Sequence, residues 1–317
     1  MPAPAAVAAL IVNWETRDDL AGCLRALREQ AGATLTVVVV DNASTDGSAA
    51  MVRDEFPEVQ LIAEEVNRGY TQGVNLGLSR CTGEFVLFLN ADCVLAPGTV
   101  AGLAAFLAGT PDAGAVAPRL YGPDGEVQDF CYRFTTLAIA AACYTEVGRR
   151  LDQRLGGRAE AWRSYRELRS ATEPMRVEHA SAACLLVRRA LTAGGLDPGM
   201  PLYFSDVDLT WRLARDGWHT YLQPRLRAEH RQGGSVGKLP WQLLRYELQR
   251  SLLRFYRLHR GPVRSAALTA ILGADALARA AYLSARSANG RPAREELASW
   301  RRLLSGAPPP GAPWSEP

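Results

Sequence analysis

Short apolar runs alternate with helix-spaced stretches through the first 118 residues of the chain. Val7 to Val12 is uninterruptedly apolar and reads as a strand buried on both faces. Asn13-Trp14-Glu15 ends it, and Thr16 is placed to cap a helix whose Leu20, Cys23, Leu24 and Leu27 share one face. Leu35 to Val40 is a second strand, running into Asp41. Asp46 can cap a helix that reaches Phe56. Val59 to Ala63 is a third strand, and Gly69 to Arg80 a glycine-spaced helix. Phe85 to Leu89 is a fourth strand, breaking into Asn90-Ala91-Asp92. Val100 to Leu107 is helical and Ala113 to Ala117 extended. This alternation predicts an α/β fold with a doubly wound sheet and right-handed crossovers. Such sheets bind ligands at the carboxyl ends of their strands. The polar residues there are Asn13, Asp41, Asn67, Asn90 and Asp92.

Regularity is lost over 119–178. Thr135 to Val147 is apolar enough for a helix, and the charged stretch Arg149 to Arg169 is suited to a mobile lid. Ala182 to Val187 returns as a strand. Ser205 can cap a helix carrying Asp206 and Asp208 in its first turn, where negative charge suits the helix dipole. Leu209 and Leu213 bury one face of it, and Gly217 ends it. Trp218 to Leu222 and Arg225 to Glu229 read as two short strands, with His230 in the following turn. Pro240 to Arg260 predicts a helix burying Leu244, Leu248, Leu252 and Phe255. Val263 to Arg286 predicts a second, Ala-rich helix. Its Asp275 and Arg279 stand four apart and can pair, which argues against a membrane crossing. Ala307 to Pro317 is Pro-rich and expected to be disordered. The division expected is 1–238 as one α/β unit in two halves (1–118 and 119–238), 239–306 as a helical extension, and 307–317 as a tail.

Composition alters this picture in one respect. The net charge of +3 is unevenly spread, because Pro240 to Arg302 holds 12 arginines against four acidic residues. A basic extension on a mildly acidic body points to an anionic surface near the extension. The six cysteines form no Cys-x-x-Cys pair, so reduced thiols are expected, without disulfides or a zinc site. The amino end lacks the positive charge of a signal peptide, and no unbroken run of 18 apolar residues predicts a membrane span. Neither a G-x-G-x-x-G after the first strand nor a Walker-type loop is present, which disfavours a dinucleotide dehydrogenase or a P-loop NTPase.

Five motifs stand in a familiar order. They are Val-Val-Val-Asp-Asn-Ala-Ser-Thr-Asp-Gly-Ser (38–48), Asn-Arg-Gly-Tyr-Thr-Gln-Gly-Val-Asn-Leu-Gly (67–77), Leu-Asn-Ala-Asp (89–92), Asp-Val-Asp-Leu-Thr-Trp-Arg (206–212), and His230 with Gly-Gly-Ser (233–235). Together they resemble the family 2 glycosyltransferases, with the rhamnosyltransferase-type and galactofuranosyltransferase-type members nearest. The resemblance covers about residues 6–238 and implies a GT-A fold, a nucleotide-diphospho-sugar donor, a divalent metal (Mg²⁺ or Mn²⁺) and inversion at the anomeric carbon. By position, Asp41 resembles the acid that reads the uracil or thymine ring. Asn67, Arg68 and Gly69 resemble the segment approaching ribose and phosphates. Asn90-Ala91-Asp92 occupies the place of the family's Asp-x-Asp, so Asp92 is implied as a metal ligand. His230 matches the second ligand. Asp206 matches the catalytic base, with Asp208 in reserve. Asn90 and Ser205 both stand where acids are usual.

The implied reaction is sugar transfer, with rhamnose as the expected sugar, from a dTDP- or UDP-sugar to a hydroxyl of a glycan or lipid-linked glycan. A carboxylate must take the hydroxyl proton as attack proceeds. The two departures keep a catalytically silent sugar-binding homologue in view, whereas a sugar nucleotidyltransferase lacks its glycine-rich loop after Val12. A cytoplasmic protein is expected, peripheral at the inner face of the membrane if the arginine-studded extension rests on anionic lipid. The same apolar stripe could instead pack on the catalytic half or on a second subunit. No nucleic-acid partner is expected.

Overall fold

The computed structural model describes residues 5–286, 291–307, 309 and 311–314. The strands are β1 (Ala6–Asn13), β2 (Thr34–Asp41), β3 (Gln60–Ala63), β4 (Phe85–Asn90), β5 (Cys93–Leu95), β6 (Ala113–Tyr121), β7 (Cys131–Tyr132), β8 (Met175–Val177), β9 (His179–Ala180), β10 (Cys184–Arg188) and β11 (His219–His230). The helices are α1 (Arg17–Arg28), α2 (Ser48–Glu55), α3 (Tyr70–Leu78), α4 (Thr99–Gly109), α5 (Leu137–Tyr144), α6 (Glu146–Arg154), α7 (Arg158–Arg163), α8 (Ser205–Arg215), α9 (Trp241–His259), α10 (Gly261–Arg286) and α11 (Arg291–Ser305).

One sheet runs in the order β3-β2-β1-β4-β10-β6-β11-β5, with β8 added beside β11. β1 pairs in parallel with β2 and β4, and β2 with β3. This half is the expected wound sheet. Its strands are continuous apolar runs because helices cover both faces; Val38 to Val40 and Phe85 to Leu89 are fully buried. The second half of the sheet is mixed. β10 runs antiparallel between β4 and β6, and β5 antiparallel against β11. The register places Asn13 opposite Asp41, and Val12 opposite Asn90. Three polar strand ends therefore share one edge.

The glycines of α3 have a packing reason. A side chain at Gly77 would collide with Leu10, and one at Gly73 would lie 2.8 Å from Val12 Cγ1. The helix can seat on β1 only without them.

Several expectations are corrected. Ser205 is the first residue of α8, not its cap; Phe204 holds the cap position in the left-handed region at φ 66°. The two strands expected over 218–229 are one, β11, whose register shifts between Gln223 and Arg227. Pro224 lies in that gap and has no N–H for the ladder. His230 is the last residue of that strand, not a turn residue. The charged stretch 149–169 forms α7, most of α6 and a 3-10 turn, held by Arg163–Glu160 and Arg133–Glu167 pairs. Thr16 sits at the cap of α1, but its hydroxyl donates to Asn13 Oδ1 at 2.7 Å and caps nothing.

A second apolar cluster joins Ala140, Met200 and Phe204 to Tyr246, Leu252, Phe255 and Tyr256 of α9 and to Leu268 and Leu272 of α10. The stripe on α9 thus packs on its own chain. α10 is long and apolar enough to cross a bilayer by length and composition. Its Asp275 and Arg279 do pair, and Arg279 also reaches Glu296 of α11. The tail is described at Ala307, Pro309 and 311–314; the rest of it lies outside the described residues. Tyr246 Oη donates to Ala307 O at 2.7 Å, and Trp314 Nε1 to Glu247 Oε1 at 3.2 Å.

Candidate active site

A cleft of about 570 Å³ opens at the carboxyl edge of β1 and β4. Asn42, Asn67, Gly69, Asn90, Asp92, Asp206 and His230 contribute to its wall. Asn67, Asn90 and Asp92 were expected as polar groups at strand ends or turns, and Gly69, His230 and Asp206 from the family resemblance; Asn42 was not anticipated.

The end of β2 is a hydrogen-bonded turn. Asn13 Nδ2 donates to Asp41 Oδ1 at 2.8 Å, and Ser44 N to Asp41 Oδ2 at 3.1 Å. Both Asn13 and Asp41 are buried and stand behind the lining rather than in it. Asn42 Nδ2 donates to Asn67 Oδ1 at 2.8 Å, Asn67 Oδ1 also accepts from Gly69 N at 2.8 Å, and Arg68 N donates to Asn42 Oδ1 at 2.9 Å. Gly69 adopts φ 81°, so the turn into α3 favours glycine there. The Arg68 guanidinium turns away to Glu64 and does not line the cleft.

Asp92 and His230 approach each other although 138 residues separate them, because β11 pairs with β5. His230 Nε2 lies 3.3 Å from Asp92 Oδ1 and 3.4 Å from Asn90 Nδ2. Its other ring nitrogen meets Gln128 Oε1 at 3.2 Å, and Gln128 Nε2 donates to the His230 carbonyl at 2.7 Å. Gln128 was not anticipated; nothing in its local sequence marks it. Burial works to raise the Asp92 carboxyl. The His230 hydrogen bond and charge, with the Gly234 N–H, outweigh that and hold it below the ordinary carboxylate value.

Asp206 is partly open, its side chain 23% exposed. Its Oδ1 accepts from Val207 N at 2.9 Å and its Oδ2 from Ala182 N at 3.2 Å. Tyr70 lines the same wall, its phenol pushed up by burial and by the Asp206 charge. Asp208 is absent from the cleft lining. It is buried, accepting from Arg212 Nε at 3.0 Å and meeting His259 Nε2 at 2.6 Å. The reserve position is therefore a link between α8 and α9, not a group facing the cleft.

A metal is tested by its donors. Among the described residues no group of three His, Cys, Asp or Glu converges. Asp92 and His230 do converge at the cleft wall. Two protein donors fit a cation that completes its shell with water and substrate phosphate oxygens, as Mg²⁺ does.

Residues 9–193 match the family model Glycosyl transferase family 2. Over 220 residues the chain is 28% identical to N-acetylglucosaminyl-diphospho-decaprenol L-rhamnosyltransferase of Mycobacterium tuberculosis, covering 65% of this chain and 69% of that one. It is similar in structure to a mannosyltransferase of Pyrobaculum calidifontis solved with GDP-Man and Mn²⁺, with a TM-score of 0.54 and 19% identity over 96% of this chain and 87% of that one. It is also similar to TarS of S. aureus solved with UDP-GlcNAc, with a TM-score of 0.53 and 15% identity over 94% and 81% of the two chains.

Proposed function

The chain belongs to glycosyl transferase family 2 and has the GT-A fold, and on that premise we propose that it moves rhamnose from a dTDP- or UDP-sugar to a hydroxyl of a lipid-linked glycan, with inversion. The observation that carries this reading is one cleft holding both a carboxylate free to take a proton, Asp206, and a separate Asp92–His230 pair. The rhamnosyl and lipid-linked parts draw on the M. tuberculosis relative.

Asp206 is the proton acceptor. Its two backbone N–H bonds fix the carboxylate's direction while leaving oxygen lone pairs for the hydroxyl. Asp92 and His230 would hold Mg²⁺ or Mn²⁺, which when bound supplies Lewis-acid neutralisation of the departing diphosphate. Gln128 keeps the His230 Nε2 side turned to the cleft. Asp41 stands behind the lining, so it would reach a pyrimidine N3–H only once the Asp41–Ser44 turn opens to admit the base. Asn67 and Gly69 form the wall toward the donor's ribose and phosphates. A lipid-linked acceptor also gives the extension a role at an anionic inner membrane face, where Val263 and Leu277 are outward-facing.

The test is transfer from dTDP-rhamnose and UDP-sugars to a lipid-linked N-acetylglucosamine acceptor with Mg²⁺ or Mn²⁺. Asp206→Asn is expected to lose about 10²- to 10⁴-fold in kcat, and Asp92→Ala to abolish transfer. Substantial activity in Asp92→Ala would sink the metal assignment. Donor binding by the wild type without any transfer would favour a silent sugar-binding protein instead.

A further inference from the structure

β9 carries a buried histidine that the transfer reaction as described leaves unused. His179 is 5% exposed and its ring stacks on Tyr132 of β7, with centroids 6.0 Å apart. Its Nδ1 lies 3.3 Å from Thr210 Oγ1. The Thr210 hydroxyl has a single proton, directed to the carbonyl of Asp206 at 2.9 Å or of Val207 at 3.2 Å. Both carbonyls lie nearer than His179 Nδ1, and with the proton on either of them the hydroxyl accepts from His179. In that arrangement the imidazole proton is on Nδ1, and Nε2 presents a lone pair. That lone pair faces Asp206 Oδ2 at 3.8 Å.

A lone pair facing a carboxylate oxygen is an unfavourable arrangement until a proton comes between them. We propose that His179 is a positioning residue for the transfer step, accepting a hydrogen bond from Asp206 once that carboxylate has taken the acceptor's hydroxyl proton. This rests on the reading of Asp206 as the base. As the acceptor oxygen forms its bond to the anomeric carbon, its O–H bond breaks. The bond from that carbon to the diphosphate oxygen breaks, and its electron pair leaves with the diphosphate. The proton ends on Asp206 Oδ2, directed at Nε2, and His179 stays uncharged. The two atoms need to close by about 1 Å to reach hydrogen-bond distance, and catalytic contacts commonly tighten on substrate binding.

The charge of His179 decides the sign. A neutral imidazole favours the protonated form of Asp206 and makes it a better base. An imidazolium would favour the anion and make it a worse one. The surroundings keep the ring neutral. Burial is the main influence, the Asp206 charge opposes it, and the Arg163 charge from α7 adds to it, so the ring titrates below the ordinary histidine value. Arg163 is itself fixed by Glu160 and by the Tyr132 face at 4.3 Å.

The experiment has two arms. In the first, ¹⁵N NMR of the unliganded wild-type protein near pH 8 reads the His179 tautomer. A proton on Nδ1 is expected, and one on Nε2 overturns the proposal whatever the activity. In the second, His179→Phe keeps the stacked ring but removes the acceptor. It is expected to lower kcat about 2- to 12-fold, the worth of a hydrogen bond between uncharged groups, with little change in KM. Thr210→Val, which releases the tautomer, is expected to lower kcat in the same direction while His179 moves toward the Nε2–H form. Wild-type kcat in His179→Phe beside an inactive Asp206→Asn would overturn the role of His179 alone. An active Asp206→Asn would instead overturn the base reading on which it stands.

Discussion

Gln128 holds His230 at both ends, accepting at the ring and donating to the carbonyl. Partners of this kind orient metal-binding histidines, and losing them costs about 10- to 100-fold in affinity. Gln128→Leu is therefore expected to weaken Mn²⁺ binding by that factor in the presence of UDP. Titration calorimetry checks this without any turnover, and an unchanged affinity would deny Gln128 the role. At this scale the sequence was partly legible. Asp92, Asp206 and His230 stand in order along the chain and face one cleft. The choice between Asp206 and Asp208 was open to a geometric argument, since residues two apart on a helix point about 200° apart. Only one of them could face the cleft. Gln128 and His179 were not legible, because their meaning comes from groups 102 and 31 residues away. No periodicity carries that information.

Among the elements, the buried strands were the plainest to read. A run such as Phe85 to Leu89 has few alternatives to a strand covered on both faces. What escaped was direction. The antiparallel entry of β10 between β4 and β6 depends on how the irregular 119–178 region returns to the sheet. Within the extension Arg245, Arg250 and Arg279 pair with Glu296, Glu247 and Asp275, and Arg254 reaches Asp197. Glu296 ties α11 to α9 and α10 through Arg245 and Arg279. Burial acts to raise its carboxyl, but these two guanidinium partners prevail and lower it. A depressed folded-state value means stabilisation present above the unfolded Glu value, about 4.3, and lost as pH falls through the folded one. The melting temperature of Glu296→Gln is thus expected below that of the wild type at pH 7, with the gap closing in acid. A gap that persists unchanged to pH 3 would contradict this.

For the whole molecule, the decisive feature is that the extension shares a core with the cleft. Phe204, which precedes α8, packs on Phe255 of α9 with ring centroids 5.8 Å apart. Asp208 and His259 join the same two helices by a polar bond. The helix that presents Asp206 is therefore seated partly on the extension. The tail adds a second connection. A Cβ on Gly69 would lie 3.4 Å from Trp314 Cβ, and the Trp314 indole reaches the buried Glu247. Trp314 thus forms part of the cleft wall, three residues before Pro317. That bears on how the protein should be handled at the bench. A fluorescent reporter or affinity handle joined behind Pro317 would pull on the cleft wall itself. Joined ahead of Met1, it would precede β1, whose first residue lies about 25 Å from the carboxyl edge at ~3.3 Å per residue. The carboxyl-terminal fusion is expected to show a several-fold lower kcat/KM than its amino-terminal counterpart. Equal values would mean that Trp314 can leave the wall without consequence.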